Sequence, residues 1–458
     1  MMTTTAKRRA LLATGAVVLL TTAPIPTLAA QDSASGFRLT LSRAVARALE
    51  YHPSVLAADA AADAATSAVG AARASWFPQI ALEISATRFE EPMLTAPIHE
   101  FNPTAFPDFH RTLYGGSALF AYKLFDGGSR NAEVRGARAE AAAAAAQWER
   151  TQMAIIAQVT HTYLGVLSAA GLVDAHDRRI AALTAERDRV GQFLGEGAAA
   201  QVDQLRVEAA LASAEADRVA AVAALDVVQR GLALLIGAPP DETQVSLLTP
   251  VVLRDEPQME DRTTLLTQTQ AVSPVLRRAR EQLVAAEAGR KAVMGTWFPS
   301  IDLFGGLVGY GYPDGFTSEW QVGARLKYPV FTGGARASAA ARSTALTRTA
   351  REAVRLSEIE AQENLDIAIT AVHESHARVA AMTRAVDHNY EVARIEQLAL
   401  QEGAGTQTDY LRAEAELFTA RAALVEARHR EIAARVELAR VVGELDLNWL
   451  ERIVEAGT

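Results

Sequence analysis

The chain has 458 residues, of which 50% are hydrophobic, 22% are charged and 6% are aromatic, and its net charge at pH 7 is -9. The absence of cysteine excludes a disulfide scaffold, a thiolate metal site and a cysteine nucleophile, and it argues against a lipid-anchored mature N-terminus. The acidic balance argues against nucleic-acid binding. There are 94 alanines, the residue with the highest helix propensity, and the length exceeds what one compact core usually fills.

Residues 1–30 are predicted to be a secretory signal peptide. Lys7, Arg8 and Arg9 precede an apolar run over 10–20, and small residues that end at Ala30 form a plausible cleavage site. The apolar run is too short to cross a bilayer as a helix. No other stretch has roughly 18 consecutive apolar residues, so a mature chain that spans a membrane is expected to do so with strands.

The remainder of the chain is a tandem repeat. Trp-Phe-Pro at 76–78 recurs at 297–299, an offset of 221, and Phe-Asp-Gly-Gly at 125–128 recurs as Phe-Thr-Gly-Gly at 331–334, an offset of 206. Because the second offset then holds for more than a hundred residues, we interpret the chain as a duplication. The change of offset places an extra loop between Pro78 and Phe125 of the first copy, and this predicted loop contains Pro92, Pro97, Pro103 and Pro107.

The residue pattern of each copy predicts a helix, then two strands, and then a hairpin of two very long helices. A helix of some 65 residues extends about 100 Å, which no compact domain accommodates. The first copy covers 37–237, with its strands in 78–126 and its hairpin in 128–237. A linker over 238–262 leads to the second copy, which covers 263–443, with its strands in 299–331 and its hairpin in 334–443. A tail covers 444–458.

The predicted strands alternate between apolar and polar residues. From Trp320 to Tyr328 every second residue is apolar, which indicates a strand with one apolar face and one polar, water-facing face. Strands of this length with aromatic residues near their ends suit a transmembrane β-barrel, and a soluble antiparallel sheet with one buried face is the alternative. Because four strands cannot close a membrane barrel, for which about eight are needed, the membrane interpretation implies an oligomer.

The order of these motifs resembles the TolC-type outer membrane factors, also called outer membrane efflux proteins. The resemblance rests on the segment 39–53, the Trp-Phe-Pro and Phe-x-Gly-Gly motifs that flank the strands, and two glycine-containing helical tips that are each followed by Asp-x-Leu. It covers residues 37–443. It implies a mixed α+β membrane protein with long helical hairpins that form a periplasmic α-barrel, and with four strands per protomer that contribute to a trimeric 12-stranded transmembrane β-barrel.

The resemblance also implies partners and a location. A homotrimer in the outer membrane, in contact with its lipid, would span into the periplasm and meet a periplasmic adaptor (membrane fusion protein) and an inner-membrane transporter. The linker 238–262 and the C-terminal tail would form an equatorial belt around the tunnel.

The helical tips are the candidate gate. In the family the tips close the tunnel through polar and charged side chains, and the matching acids here are Asp203 and Asp409. Arg206 and Arg412 stand three residues further on, where some family members have a second acid, so an Asp–Arg pair could lock the closed tip but a double acidic ring is not available. The alternative is that Asp409 only belongs to a helix cap that begins at Thr406.

The turns at the tips match the family's adaptor-contact loops. These are Gly197-Ala198 and Gly403-Ala404, and Glu196 and Glu402 stand beside them where apolar residues are common in the family. The alternative is that the glycines only permit the hairpins to turn, and both interpretations are compatible.

The sequence predicts no enzyme, no catalytic residue, no metal site and no cofactor. His373 and His376 share a helix face but lack the spacing and the third ligand of a zinc site, so surface histidines are favoured. We therefore expect a passive outer-membrane exit duct of a tripartite system, with small-molecule efflux favoured because such ducts are commoner. The alternatives are a type I protein secretion duct and, from a different class, a soluble periplasmic coiled-coil adaptor or scaffold.

Overall fold

The computed structural model describes residues 39–99, 103–104, 107–238, 248–254 and 260–456. The predicted signal peptide and much of the predicted linker 238–262 lie outside the described residues. The elements in chain order are α1 (Leu41–Tyr51), α2 (Pro53–Ala74), β1 (Gln79–Leu94), β2 (Phe109–Phe125), α3 (Ser129–Gly195), α4 (Gln201–Leu235), β3 (Val251–Leu253), α5 (Arg262–Val272), α6 (Pro274–Gly295), β4 (Ser300–Tyr312), β5 (Gly315–Lys327), α7 (Ala335–Gln401), α8 (Gln407–Val442), α9 (Leu447–Ile453) and β6 (Val454–Ala456).

A proline divides the helix that was predicted before each strand pair. Pro53 occupies the first turn of α2, and Pro274 occupies the first turn of α6. Proline lacks an N–H and disfavours a helical conformation of the preceding residue, so His52 and Ser273 adopt ψ angles of 125° and 122° and end the helix before. The prediction of a single helix there is wrong, because each copy begins with two.

The helices form a layer built on α3 and α7, which have 67 residues each. Helix α3 contacts α2 and α6 along its N-terminal part and α4 and α8 along the rest, and α7 contacts α6 and α8. At 1.5 Å per residue, α3 and α7 are each about 100 Å long. Helix α3 also contains an 18-residue window that is long and apolar enough to cross a membrane by length and composition alone, and 44% of that window is buried among the other helices.

The four long strands form one antiparallel sheet in the order β1-β2-β4-β5. Strands β4 and β5 are joined by a two-residue turn, whereas β1 and β2 are separated by residues 95–108. The extra loop of the first copy is therefore present, but Pro92 is not in it. Pro92 lies in β1, in the irregular part of its pairing between Arg88 and Met93, because an edge strand tolerates a residue without an N–H.

The sheet has one apolar face and one polar face. Neighbouring residues along a strand point to opposite faces. On β5, Trp320 and Val322 are 76% and 75% exposed, while Glu319 and Gln321 point to the other side. The pairing register continues both faces across the sheet: Leu82, Ala118, Leu307 and Trp320 form one apolar row, and Glu83, Ser117, Val308 and Glu319 form the adjacent row on the opposite face.

The main hydrophobic core lies halfway along the helices, where α3 meets α1, α9 and the C-terminal parts of α4 and α8. Tyr163 of α3 is fully buried there, with its hydroxyl 2.6 Å from the carbonyl oxygen of Leu39 and 2.8 Å from that of Thr249. Strand β3 pairs with β6 beside this core, so the segment after the first copy is joined to the C-terminal tail. This two-stranded sheet was not predicted, since three-residue strands give no readable periodicity.

Candidate functional site: the tips of the helical hairpins

Both hairpins turn through the same backbone motif. After α3, Gly197 adopts a φ of +73° and the N–H of Ala198 donates to the carbonyl oxygen of Phe193 at 2.7 Å. After α7, Gly403 adopts a φ of +70° and the N–H of Ala404 donates to the carbonyl oxygen of Ala399 at 2.8 Å. This is the Schellman arrangement, in which a left-handed glycine satisfies the last carbonyl groups of a helix. The turn-forming role of both glycines is therefore present in the structure.

The two tip aspartates lie in the first turns of α4 and α8, but their surroundings differ. The hydroxyl oxygen of Thr406 accepts from the N–H of Asp409 at 3.2 Å and donates to its carboxylate at 2.6 Å, so the predicted cap is formed. At the equivalent point of the first hairpin Ala200 offers no side-chain cap. Asp203 instead accepts from Arg206 at 3.4 Å, within one protomer. In the described part of the chain Arg412 makes no such ion pair with Asp409.

The two histidines considered as metal ligands lie far along α7 from the tip. His373 and His376 are exposed, and Nδ1 of His376 is 3.1 Å from the carboxylate of Glu431 on α8. Within the described ranges no group of three or more His, Asp or Glu side chains is arranged to hold a metal ion.

A buried polar cluster joins the two hairpins just above the turns, and sequence reasoning missed it. Arg189 donates to both carboxylate oxygens of Glu186, at 2.9 and 2.6 Å, and to the side-chain oxygen of Gln407 at 3.2 Å. The side-chain amide of Gln407 in turn donates to Glu186. We call these three residues the clasp. Because Glu186 and Arg189 lie on α3 and Gln407 begins α8, the clasp links the first hairpin to the second.

The clasp is electrostatically satisfied despite its burial. Burial opposes ionisation of Glu186, but the hydrogen bonds from Arg189 and Gln407 outweigh it and hold the pKa of this carboxyl below its ordinary range. Tyr410, one turn into α8, has a pKa raised by burial and by the nearby carboxylates of Glu414 and Glu186. The cluster therefore holds one ionised carboxylate, one guanidinium and a neutral phenol between the hairpins.

A comparison of the two copies contains the signal that would have revealed the clasp. At the offset of 206, Glu186 and Arg189 correspond to Val392 and Ile395. The positions match in the helical hairpin but differ in chemistry, and the second-copy residues are exposed apolar side chains. A charged pair that only one copy contains is not needed to build the hairpin.

A cavity of about 920 Å³ lies above the clasp, between α3 and α8. Its lining is mainly apolar, with Leu172, Leu183 and Phe418 on its walls. The polar residues that line it carry both charges: Arg178, Arg179, Arg421, Asp174, Glu414 and Glu426. Glu186 also borders it, so the clasp closes the end of this cavity nearest the tips.

Comparisons with known proteins agree with this architecture. The family model described as outer membrane efflux protein matches residues 44–238 and 265–444. The chain is 24% identical over 341 residues to the outer membrane efflux protein BepC of Brucella suis, covering 71% of each chain. It is 28% identical over 316 residues to the protein CyaE of Bordetella pertussis, covering 65% of this chain and 61% of that one.

Solved structures show the same fold. The CmeC outer membrane channel of Campylobacter jejuni is similar with a TM-score of 0.76 and 16% identity, covering 90% of this chain and 88% of that one. The outer membrane protein VceC of Vibrio cholerae is similar with a TM-score of 0.72 and 20% identity, covering 88% of this chain and 96% of that one. At these identities the likeness concerns the fold alone.

Proposed function

Because the chain belongs to the outer membrane efflux protein family and so lies in the outer membrane and spans into the periplasm, we propose that three copies form one exit duct. Its strands would close a 12-stranded transmembrane β-barrel, and its hairpins would form a periplasmic α-barrel. The duct would passively conduct substrates delivered by an inner-membrane transporter through a periplasmic adaptor.

The observation that carries this proposal is the sheet with two open edges. Strands β1 and β5 have 16 and 13 residues, and within the described residues each pairs on one side only. Long open edges invite pairing with another chain. One face of the sheet is apolar and exposed, so a membrane is its natural solvent. If two further copies closed the barrel, both edge strands would be paired and each protomer would need no strand beyond its four.

The helical layer has matching open sides. In the half nearer the tips, α4 lies at one side and α7 at the other, with α3 and α8 between them. Both outer helices expose large apolar side chains, which supports their contact across protomers. These side chains include Val202, Leu205, Val219 and Val227 on α4, and Tyr390, Val392, Ile395 and Leu398 on α7.

The tips would form the periplasmic gate of this duct. Around a three-fold axis each of Asp203 and Asp409 would stand in a ring, with Arg206 and Arg412 able to pair across the ring and lock the closed state. The turns at Gly197-Ala198 and Gly403-Ala404 would contact the adaptor. Capping of α8 by Thr406 is compatible with the gate, because the Asp409 carboxylate keeps one oxygen outside the cap.

Small-molecule efflux is the favoured transport class, and the similarity to the outer membrane efflux protein BepC supports it. A type I protein secretion duct is the alternative within the family. A soluble periplasmic adaptor does not agree with the family's outer-membrane location or with the exposed apolar face of the sheet.

One experiment tests the trimer and the gate separately. The chain has no native cysteine, so Asp409→Cys provides a single reactive site. We expect a short bismaleimide to give cross-linked dimers at the tip, because each protomer offers one thiol and one linker joins two thiols, whereas the exposed Arg428→Cys on the same helix gives monomers. A trimer in solution without cross-links at residue 409 would refute the gate alone, and a monomeric full chain would refute the duct.

A second experiment tests the transport class. A strain without this chain should accumulate small toxic compounds and regain resistance when the chain is restored. Normal resistance combined with loss of one secreted protein would instead support the secretion alternative.

A further inference from the structure

Two cavities with basic linings lie where the helices meet the sheet. The first, of about 370 Å³, lies between the end of α2 and the start of α3, and Arg73, Arg135 and Arg138 line it together with the rings of Trp76 and Phe77. Residues 131, 135 and 138 share one face of α3 through their i, i+4 and i+7 spacing. No carboxylate is among the described residues that line it.

The second cavity, of about 360 Å³, adjoins the first. Asn131 and Arg135 border both cavities, and Lys291 and Phe298 from the second copy complete the lining of the second one. The shared residues show that both cavities open on the same side of the helical layer. Together they present four cationic side chains and three aromatic rings, and we call this surface the junction site.

The arginines of the first cavity have no acidic partner in the described part of the chain, and the chain as a whole is acidic. A group of unpaired guanidinium groups around a cavity repels itself unless an anion is supplied from outside. Further along the same helical layer, arginines do have partners from neighbouring helices: Arg277 pairs with Glu149, Arg280 with Glu358, and Arg351 with Glu287.

The second copy of the repeat shows that the same fold can form without these basic residues. The aromatic pair of the first copy recurs in the second as Trp297 and Phe298, so the backbone motif is common to both. The basic residues do not recur. At the offsets of 221 and 206, the positions of Arg73, Asn131, Arg135 and Arg138 are occupied by Met294, Ala337, Ala341 and Thr344.

The aromatic rings indicate which solvent the junction site faces. Phe77 and Phe298 are 68% and 56% exposed, and β1 begins two residues after Phe77. Exposed aromatic rings at the end of an apolar strand face are typical of the membrane interface, whereas a water-filled lumen would leave them hydrated. The strand face that follows, with Ile80 at 75% exposure, is the apolar one.

We propose that the junction site binds the phosphodiester headgroup of an anionic phospholipid in the periplasmic leaflet of the outer membrane. Arg73, Arg135 and Arg138 supply the cationic donors, and Trp76 and Phe77 lie against the start of the acyl chains. The guanidinium group suits phosphate because it donates in a planar fork. The inference rests on the outer-membrane location of the family and does not require the trimer or the duct.

The test measures lipid binding by the full chain in detergent. Phosphatidylglycerol and phosphatidylcholine with identical acyl chains are titrated separately, and the bound lipid is counted by native mass spectrometry. We expect phosphatidylglycerol to bind about tenfold or more tightly than phosphatidylcholine, since each basic residue near a membrane surface contributes to anion attraction. The variant Arg135→Ala/Arg138→Thr, which copies the second repeat, should lose this preference to within about twofold.

The control variant Arg384→Gln/Arg428→Gln removes two exposed arginines elsewhere on the long helices and should keep the preference. If the double variant at the junction site does not fold, Arg138→Thr alone provides the same comparison. Equal binding of both lipids by the wild type, or an unchanged preference in the junction-site variant, would overturn the proposal. Displacement by millimolar inorganic phosphate would assign the site to a free anion and would also overturn it.

Discussion

The side-chain amide of Gln407 donates to the carboxylate of Glu186, which precedes it by 221 residues, and so joins the start of α8 to the end of α3. Any outward movement of the second hairpin relative to the first must break this contact and the hydrogen bond from Arg189 to the side-chain oxygen of Gln407, while the ion pair between Glu186 and Arg189 stays within α3. We expect Glu186→Gln to favour the open tip by a factor of roughly ten or more, because a buried hydrogen bond to a charged group contributes about 1.5–3 kcal/mol. Single-channel conductance in planar bilayers measures this.

The control for the clasp is an ion pair of the same kind at the surface. Arg394 donates to Glu391 at 2.9 and 2.6 Å, but both residues lie on α7 and are exposed. Arg394→Gln should leave the conductance unchanged. Equal conductance of wild type and Glu186→Gln would show that the clasp does not hold the tip closed.

The clasp should open in acid. The folded-state pKa of Glu186 is lowered, so its contribution is complete above the unfolded-state pKa of about 4.3 and is lost as the pH falls through the lower folded-state value. We expect the wild-type conductance to rise below about pH 4. Glu186→Gln should already conduct at pH 7 and should lack this step. A step of equal size in both proteins would assign the acid response to other carboxylates.

The sequence predicts the long elements well because their periodicity is continuous. The 67-residue helices, the turns at Gly197 and Gly403, and the two-faced strand around Trp320 all follow from local patterns. The family resemblance is confirmed by the match over 44–238 and 265–444. The break at Pro53 was missed because the apolar pattern continues across it, although proline at the first turn of a helix is a local signal.

The clasp and the junction site were missed for a different reason. Glu186 and Gln407 meet only because α3 and α8 pack side by side, and no local pattern contains that contact. Arg73 and Arg135 are likewise brought together by the packing of α2 on α3. Glu186, Arg189 and the arginines of the first cavity differ from their second-copy equivalents, where the duplication would otherwise predict equality, whereas Gln407 matches Gln201 and gives no such signal.

The junction between sheet and helices depends on one buried ion pair in the first copy. Nε of Arg130 donates to Asp126 at 2.8 Å, its guanidinium lies 4.5 Å from the centre of the Trp76 ring, and it also donates to the carbonyl oxygen of Ser75. Asp126→Asn leaves the buried guanidinium without a counter-charge, so we expect a loss of about 3–5 kcal/mol in the free energy of unfolding. Denaturant unfolding in detergent measures it.

The second copy provides the matched control for this prediction. Arg336 occupies the equivalent position, but Thr332 replaces the aspartate. The arginine is partly buried, lies near the rings of Trp297 and Tyr328, and donates to the carbonyl oxygens of Thr296 and Pro329. Arg336→Gln should cost about 0.5–1.5 kcal/mol, because it removes ordinary hydrogen bonds but leaves no buried charge unpaired. Similar losses from both substitutions would contradict the view that the first-copy junction alone depends on a buried charge pair.

The hydroxyl group of Tyr163 should make its own contribution to the stability of the middle of the molecule, separate from that of the ring. The hydroxyl lies within hydrogen-bond distance of the carbonyl oxygens of Leu39 and Thr249 and accepts from the N–H of Thr249 at 3.1 Å. Tyr163→Phe keeps the ring but removes the hydrogen bonds of the phenol, while the N–H of Thr249 still donates to the carbonyl oxygen of Leu39 at 3.1 Å. We therefore expect a loss of about 0.5–1.5 kcal/mol in the free energy of unfolding. Tyr390→Phe, at an exposed position of α7, should change it by less than about 0.5 kcal/mol.

The alkaline pH dependence of stability tests whether the Tyr163 phenol is desolvated in the folded protein. Burial raises the pKa of the Tyr163 phenol to about 12. Because the folded-state value exceeds the unfolded-state value of about 10, its stabilising contribution is complete below pH 10 and is lost as the pH rises toward 12. The stability difference between wild type and Tyr163→Phe should therefore shrink between pH 10 and 12, whereas a constant difference would mean that the phenol is not desolvated in the folded protein.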